Sequence, residues 1–320
     1  MLFPKFYGDP PGRKSVMNIA LNQGKVESPE GWSASLELVA AQRSGRTVLS
    51  RNRHCGPLRV QRPFYPEGGV CHVYVLHPPG GLVAGDELDI RVHCESDSQL
   101  LLTTPSAGRV YCTNTQHLEQ SQKVSIRVEA GARCEWLPQE SIVFDRAEAV
   151  NQLSVSLAAG AEFTGWEVTC LGRPASDEAF NGGHLQQRWE IYREDRPLLL
   201  ERTKFVGGSP QLQAHWGLAG ATVAGTLVST CLDVPVEQLR EAIESILNRG
   251  KNEKENPNSN LSHLTFNKPL VAVTALPELL IVRAFGQNAA EVKAVFMELW
   301  YLLRLAQTGQ NAVAPRIWFT

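Results

Sequence analysis

The chain has 320 residues, of which 43% are hydrophobic, 31 are basic and 33 are acidic. This length and composition predict one large domain, or one domain with a smaller second part, around a sizeable core. The near balance of charge gives no reason to expect nucleic acid or an anionic membrane as a partner, and no apolar run reaches the ~18 residues of a membrane helix.

The first 30 residues are rich in proline, glycine, asparagine and lysine and show no sustained hydrophobic period. We interpret residues 1–30 as a flexible leader, which also lacks the apolar segment of a signal peptide. The chain has seven cysteines, an odd number, and no CxxC pair. This usage is typical of a reduced protein with buried thiols rather than of a disulfide scaffold, so we expect a cytoplasmic protein.

Alternating hydrophobic and polar residues predict a β-rich body over residues 31–233. Within it, VSIRVEAGARCEW at 124–136 resembles LSVSLAAGAEFTGW at 153–166, and LDIRVHCESDSQLLL at 88–102 has the same form. Each unit contains a strand, a short turn and a second strand. Such a period predicts stacked units and a β-helix-like body, although a meander of hairpins also looks periodic over two copies.

Residues 234–320 combine helical and strand patterns, so we expect a small C-terminal α/β layer packed on the body. An apolar face at 236–248 predicts a short amphipathic helix. A mobile loop at 250–263 should follow, and then two strands. A second helix is expected between an N-cap at Asn288 and a glycine stop at Gly309.

A loop of unusual composition, HPPGGLVAGD, joins two predicted strands between His77 and Asp86. Two prolines remove backbone donors, and the glycines after them can adopt positive φ. The residues expected to shape this loop are His77, Pro78, Pro79, Gly80, Gly81 and Gly85. Loops held between strands often carry function, and a purely structural corner is the alternative.

Motifs for a metal site or a nucleophile are scarce. Three neighbouring His-Cys pairs occur, but HExxH and zinc-ribbon spacings are missing. Neighbours in a strand also face opposite sides, so two of the pairs could not bind one ion. We therefore predict no tightly bound metal or cofactor. Because GxSxG and Walker A motifs are missing as well, we expect neither a serine nucleophile nor GTP hydrolysis.

Carboxylates offer more chemistry, because several interrupt apolar runs. Glu135, Glu140, Glu167 and Glu201 lie within or beside apolar runs, and Asp86 lies at the end of the loop that begins at His77. A buried ionised carboxylate is costly unless it is paired or hydrated. One interpretation is pairing with Arg173, Arg188 or Arg202. The other is a hydrated path whose oxygen ligands pass a divalent cation between weak sites.

Seven motifs follow one another in order from about residue 31 to the last residue. They are VQRPFYPE, HPPGGLVAGDEL, TTPSAGRVY, EWLPQESIVFD, WEVTCLGRP followed by Glu178, LLLERTKF and PRIWFT. Together they resemble the UreD (UreH) family of urease accessory proteins. One departure is Ala84, where that family commonly has glycine. The resemblance implies a mainly β fold with stacked antiparallel sheets and two helices.

The resemblance also implies a function. Proteins of this family are scaffolds that bridge the urease apoprotein to the accessory protein UreF and the nickel-carrying GTPase UreG. A water-filled internal tunnel is proposed to pass Ni²⁺ transiently, and Asp86, Glu167 and Glu201 match positions implicated in it. Glu140 and Glu178 lie in matching motifs. We therefore expect a non-enzymatic nickel-insertion chaperone that acts in a complex.

Two alternatives from other classes stay open at this stage. A β-rich hydrolase could use a carboxylate pair such as Glu135 and Glu140, provided that both face one cleft about 5–10 Å apart. A β module that binds a carbohydrate or peptide ligand is the other alternative. Recovery of urease subunits in a pull-down would favour the scaffold over both.

Overall fold

The computed structural model describes residues 31–249 and 268–319. The expected leader at 1–30 and the expected mobile loop at 250–263 lie outside the described residues. Within the described part the chain is mainly β, as the alternating patterns predict.

The strands and helices have the following bounds. The strands are β1 (Ser33–Arg43), β2 (Arg46–Cys55), β3 (Arg59–Val60), β4 (Cys71–Leu76), β5 (Glu87–Cys94), β6 (Gln99–Thr103), β7 (Gly108–Val110), β8 (Gln120–Val128), β9 (Arg133–Trp136), β10 (Ser141–Val143), β11 (Glu148–Leu157), β12 (Glu162–Leu171), β13 (His184–Arg193), β14 (Arg196–Val206), β15 (Val223–Ser229), β16 (Leu270–Leu276) and β17 (Leu279–Gly286). The helices are α1 (Pro210–Gln213), α2 (Val236–Arg249) and α3 (Ala289–Thr308).

Two mixed sheets contain these strands. The first sheet has the order β14-β13-β11-β8-β5-β1-β2. The second has the order β16-β17-β15-β12-β9-β6-β4-β3, with β10 and β7 attached beside β12. The C-terminal strands β15, β16 and β17 therefore extend the second sheet, and the expected α/β layer shares that sheet with the body.

The repeated units form the middle of both sheets, which confirms the β-helix-like body. Each unit places one strand in the first sheet and its second strand in the second sheet, as in β5–β6, β8–β9 and β11–β12. The turns between them contain Asp97, Gly131 and Gly160, all with φ between 61° and 70°. This left-handed backbone is accessible to glycine and, among other residues, most readily to asparagine and aspartate.

The direction of the central strands is a correction to the expected antiparallel sheets. The strands β5, β8 and β11 are parallel neighbours, and so are β6, β9 and β12. Because each unit crosses from one sheet to the other, the next strand in a sheet runs in the same direction as the last. Antiparallel pairing is found towards the edges, for example where β13 turns back into β14 and where β12 pairs with β15.

The main core lies between the inward faces of the two sheets. Ile90, Val124, Leu153 and Trp189 lie side by side across four strands of the first sheet, and all four are buried. Along each of these strands, buried residues alternate with partly exposed ones, and this period of two is the pattern from which the strands were predicted. Polar residues on these inward faces are therefore unusual, and they mark the site described below.

Helix α3 covers the opposite face of the second sheet and forms a second core. Its apolar stripe is buried against that sheet, and the Asn288 side chain accepts a hydrogen bond from the Ala290 amide at 2.9 Å. Gly309 ends the helix with φ of 67°. Gly225 on β15 allows close packing, because a Cβ there would come within 2.7 Å of the Val292 side chain.

Candidate functional site

The 77–86 loop forms one wall of a cavity of about 400 Å³. His77, Pro78, Gly80 and Gly81 line this first cavity, and Glu167 lines it from β12. The interior position also affects His77, because burial lowers the pKa of its imidazole while the charge of Asp86 acts in the opposite direction. The loop is thus both a corner between strands and the wall of an internal space.

Close approach of the loop to β7 explains one of its glycines. A Cβ at Gly81 would come within 2.5 Å of the Tyr111 ring, so a larger residue would push the loop away. The next residue then bonds to β7, with the Leu82 amide donating to the Arg109 carbonyl at 2.8 Å. Gly80 has φ of 78°, the positive value that the sequence led us to expect after two prolines.

Asp86 closes the loop with both of its carboxylate oxygens. Oδ1 accepts a hydrogen bond from the Trp32 amide at 2.8 Å, and Oδ2 accepts one from the Val83 amide at 2.9 Å. The side chain is buried and lines neither the first cavity nor the second cavity described next. Its observed contacts therefore fix the loop and the approach to β1.

A second cavity of about 210 Å³ lies among β12, β13, β14, β15 and β17. Its lining includes Glu167, Glu201, Thr226 and Arg283. Because Glu167 lines both cavities, the two spaces adjoin at this residue.

Two rows of side chains face each other across the second cavity. On the second sheet, strand register places Glu167, Thr226 and Arg283 side by side on β12, β15 and β17. On the first sheet, Trp189 pairs in register with Glu201, and Gln187 pairs with Thr203. These are inward positions, most of which elsewhere carry hydrophobic side chains.

Glu167 has neutral hydrogen-bond donors only. Its Oε2 accepts from Trp189 Nε1 at 3.1 Å and from Gln187 Nε2 at 3.2 Å, and it forms no ion pair within the described part of the chain. Burial raises the pKa of the Glu167 carboxyl to about 7, although both hydrogen bonds act to lower it. The negative charge of Glu201 raises it further. The carboxyl can therefore exchange a proton near neutral pH.

Glu201, in contrast, is neutralised by an arginine. Arg283 reaches across from the second sheet and donates from Nη1 to Oε1 at 2.9 Å and from Nη2 to Oε2. Arg283 also donates to Thr226 Oγ1 at 3.2 Å. Pairing was one interpretation of Glu201, but the partner is Arg283 rather than one of the three arginines considered.

The other predicted carboxylates lie apart from this pair. Glu178 forms an ion pair with Arg173, one of the arginines that the sequence suggested, and the Arg173 Nε donates to it at 2.7 Å. Glu140 lies 3.4 Å from the ammonium of Lys293. The structure therefore brings Glu167 and Glu201 to one cavity and leaves Asp86, Glu140 and Glu178 outside it.

Glu135 does not have the surroundings that a hydrolase pair with Glu140 requires. Its side chain is buried against α3, where Oε1 accepts from Trp300 Nε1 at 2.8 Å and Oε2 is bound by Arg304. Both oxygens are occupied, so the carboxylate has no open side towards a cleft.

Sequence reasoning missed three residues that shape the site, namely Gln187, Trp189 and Arg283. Signals for two of them are present in the sequence. Gln187 occupies an inward position between Leu185 and Trp189, where an apolar residue is expected. Arg283 interrupts the apolar run LLIVRAFG, as Glu167 interrupts its own strand. The indole of Trp189 looks like any core aromatic until its partner is known.

Among residues 31–249 and 268–319, no three His, Cys, Asp or Glu side chains are grouped so that they could hold a metal ion. In the same part of the chain, no helix is both long enough and apolar enough to cross a membrane.

Comparisons with known proteins give a consistent result over nearly the whole chain. Residues 33–319 match the model of a family described as UreD urease accessory protein. The chain is 40% identical over 298 residues to the urease accessory protein UreD of Hahella chejuensis, covering 92% of this chain and 93% of that protein. It is 41% identical over 307 residues to the protein of the same name from Dechloromonas aromatica, covering 95% and 100%.

Proposed function

The chain belongs to the UreD family of urease accessory proteins, and from this membership and the two cavities we propose that it passes Ni²⁺ to the urease apoprotein. In this proposal it is a non-enzymatic scaffold that bridges the apoprotein to UreF and the GTPase UreG. It acts in the cytoplasm, in keeping with seven cysteines that are all free.

The observation that carries the proposal is the shared lining of the two cavities by Glu167. Volumes of about 400 and 210 Å³ are several times the roughly 30 Å³ that one water occupies in the liquid, so each cavity has room for several waters around a cation. A carboxylate between two such spaces gives a passing cation an oxygen ligand at the point where it leaves one cavity and enters the other.

The ligands around Glu167 favour transient binding over retention. In the described part of the chain, Glu167 is the one carboxylate at this junction that has no cationic partner, and its neighbours Gln187, Thr169 and Thr226 offer neutral oxygen atoms. Thiolate and imidazole ligands, which hold nickel more firmly, are not grouped here among the described residues. Such a set suits an ion that must be released again.

Replacing Glu167 with leucine tests the proposal. The Glu167→Leu chain is expressed with a urease gene cluster, and nickel per urease active site is measured together with the amount of accessory complex recovered. We expect nickel loading to fall at least ten-fold while complex recovery is unchanged, because the oxygen ligand and its hydration are lost. The matched control is Glu190→Leu, since Glu190 lies on β13 but faces away from the cavities.

Normal nickel loading with an intact Glu167→Leu complex would remove this carboxylate from the path. Parallel loss of complex and nickel would show that Glu167 has a structural role only. Asp86, Glu140 and Glu178 remain proposed path residues of lower rank, because their observed contacts are with backbone amides or with nearby cations.

A further inference from the structure

We propose that Arg283 is a gating residue of the second cavity, occupying Glu201 until an arriving divalent cation takes its place. This inference rests on the proposed nickel path, and it assigns a specific role to a residue that binds no ion itself. It accounts for a difference between the two carboxylates that line the second cavity, since Glu201 is paired with an arginine and Glu167, among the described residues, has only neutral donors.

The position of Arg283 allows it to close this space. It is the last member of the row Glu167, Thr226 and Arg283 on the second sheet, and its guanidinium spans the gap to Glu201 on the first sheet. Its bond to Thr226 Oγ1 at 3.2 Å holds the side chain within the cavity. A cation moving on from Glu167 would therefore meet a positive charge before it could reach a second carboxylate.

Partial exposure makes the pair suitable for opening. The side chains of Arg283 and Glu201 are 37% and 22% exposed, so water can solvate both charges when they separate. Ion pairs with this much solvent contact contribute little to stability. The contrast is the pair of Arg304 and Glu135, in which both side chains are only 2% exposed and separation would leave bare buried charges.

Charge determines what the gate does to ion binding. With Arg283 in place, the second cavity holds one carboxylate that is not paired with a cation, which favours weak binding. Without the guanidinium, Glu167 and Glu201 both face the same space, and two anionic oxygen donors bind a divalent ion more tightly than one. Arg283 paired with Glu201 therefore keeps the Ni²⁺ affinity of the second cavity low enough for release. A divalent cation that arrives at Glu201 competes for the carboxylate with the single charge of the guanidinium.

The experiment measures Ni²⁺ affinity by calorimetric titration of the chain co-purified with UreF, without the GTPase. Arg283→Met removes the charge and keeps the length of the side chain, and Arg283→Lys keeps a positive charge. We expect Arg283→Met to bind Ni²⁺ at least ten-fold more tightly than the unmodified complex, and Arg283→Lys to stay within about three-fold of it. The double variant Glu201→Gln with Arg283→Met should lose the gain.

The control is Arg51→Met, which breaks a more exposed ion pair with Glu37 on the outer side of the first sheet. Its Ni²⁺ affinity should not change. If Arg283→Met does not fold, Arg283→Gln serves the same purpose, because an amide can still donate to Glu201 and Thr226.

If a folded variant of Arg283 without the positive charge binds Ni²⁺ with unchanged or lower affinity, the proposed gating role of Arg283 is wrong. Should Glu167→Leu nevertheless lower nickel loading of urease, the nickel path would stand and only the gate would be wrong. If Glu167→Leu loads urease normally with the complex intact, the path itself fails, so the two failures are distinguishable.

Discussion

The indole Nε1 of Trp189 donates to Oε2 of Glu167 at 3.1 Å, and this bond joins the inner faces of the two sheets. Both residues occupy inward positions, and among residues 31–249 and 268–319 the one other donor to the carboxylate is the side-chain amide of Gln187 at 3.2 Å. A neutral donor stabilises a carboxylate less than a cation does. The site therefore keeps a carboxyl whose charge is only partly stabilised at the junction of two cavities.

The first prediction concerns the pH dependence of stability at Glu167. Its pKa is raised from 4.5 to about 7, so the protonated form favours folding. That contribution is complete below pH 4.5 and is lost as the pH rises through 7. Glu167→Gln should therefore be more stable than the unmodified chain at pH 8, by up to about 3 kcal/mol, and nearly equal to it at pH 4.5.

Urea denaturation of both chains at the two pH values measures this difference in the free energy of unfolding. Glu190→Gln, on the outward face of β13, is the matched control and should show no such pH dependence. A Glu167→Gln chain that gains nothing at pH 8 would mean that the carboxyl ionises freely, in contact with bulk water.

A second prediction concerns the buried ion pairs that attach α3 to β9 and to the segment between β3 and β4. Arg304 is almost fully buried and binds both Glu135 and Glu67. Arg304→Met leaves two buried carboxylates without this cation, so we expect a loss of about 3–5 kcal/mol in the free energy of unfolding. Chemical denaturation measures it, and Arg240→Met, which breaks an exposed pair on α2, should change stability by less than about 0.5 kcal/mol.

A third prediction concerns the C-terminal Trp318. The indole is buried against Trp166 and Trp300, and its Nε1 donates to Thr103 Oγ1 at 2.8 Å. Trp318→Ala should cost about 3–5 kcal/mol, because it leaves a cavity and removes one hydrogen bond to the buried Thr103 hydroxyl, which still donates to the Leu137 carbonyl at 2.6 Å. Phe319→Ala is the control, since that ring is 70% exposed and its loss should be nearly neutral. Equal thermal midpoints for the two variants would contradict the inferred packing.

Local signals in the sequence were sufficient to predict many elements of this fold. Helix α3 begins and ends where Asn288 and Gly309 indicated, because caps act on backbone groups only a few residues away. The repeated units were visible as well, since the turns at Gly131 and Gly160 have the same backbone requirement. Such features depend on neighbours in the chain.

Strand direction and charge pairing depend on contacts that are distant in the sequence. Whether a unit turns back or crosses to the other sheet decides the direction of the next strand, and the hydrophobic alternation is the same in both cases. Glu201 pairs with Arg283, which lies 82 residues further along the chain, although Arg202 is its immediate neighbour. Glu167 could be recognised as unusual within its strand, but its neutral partners Gln187 and Trp189 emerged only from the packing of the two sheets.

The most direct test of an internal nickel path is to block the second cavity without removing a carboxylate. Thr226 lies between Glu167 and Arg283 on the second sheet and lines that cavity. Thr226→Phe fills the space with an apolar ring, whereas Thr274→Phe places the same ring on an exposed position of β16. Both variants are expressed with a urease gene cluster, and nickel per urease active site is measured against recovered complex. We expect Thr226→Phe to lower nickel loading at least ten-fold with complex retained and Thr274→Phe to have no effect; full loading with Thr226→Phe would contradict passage of nickel through this cavity.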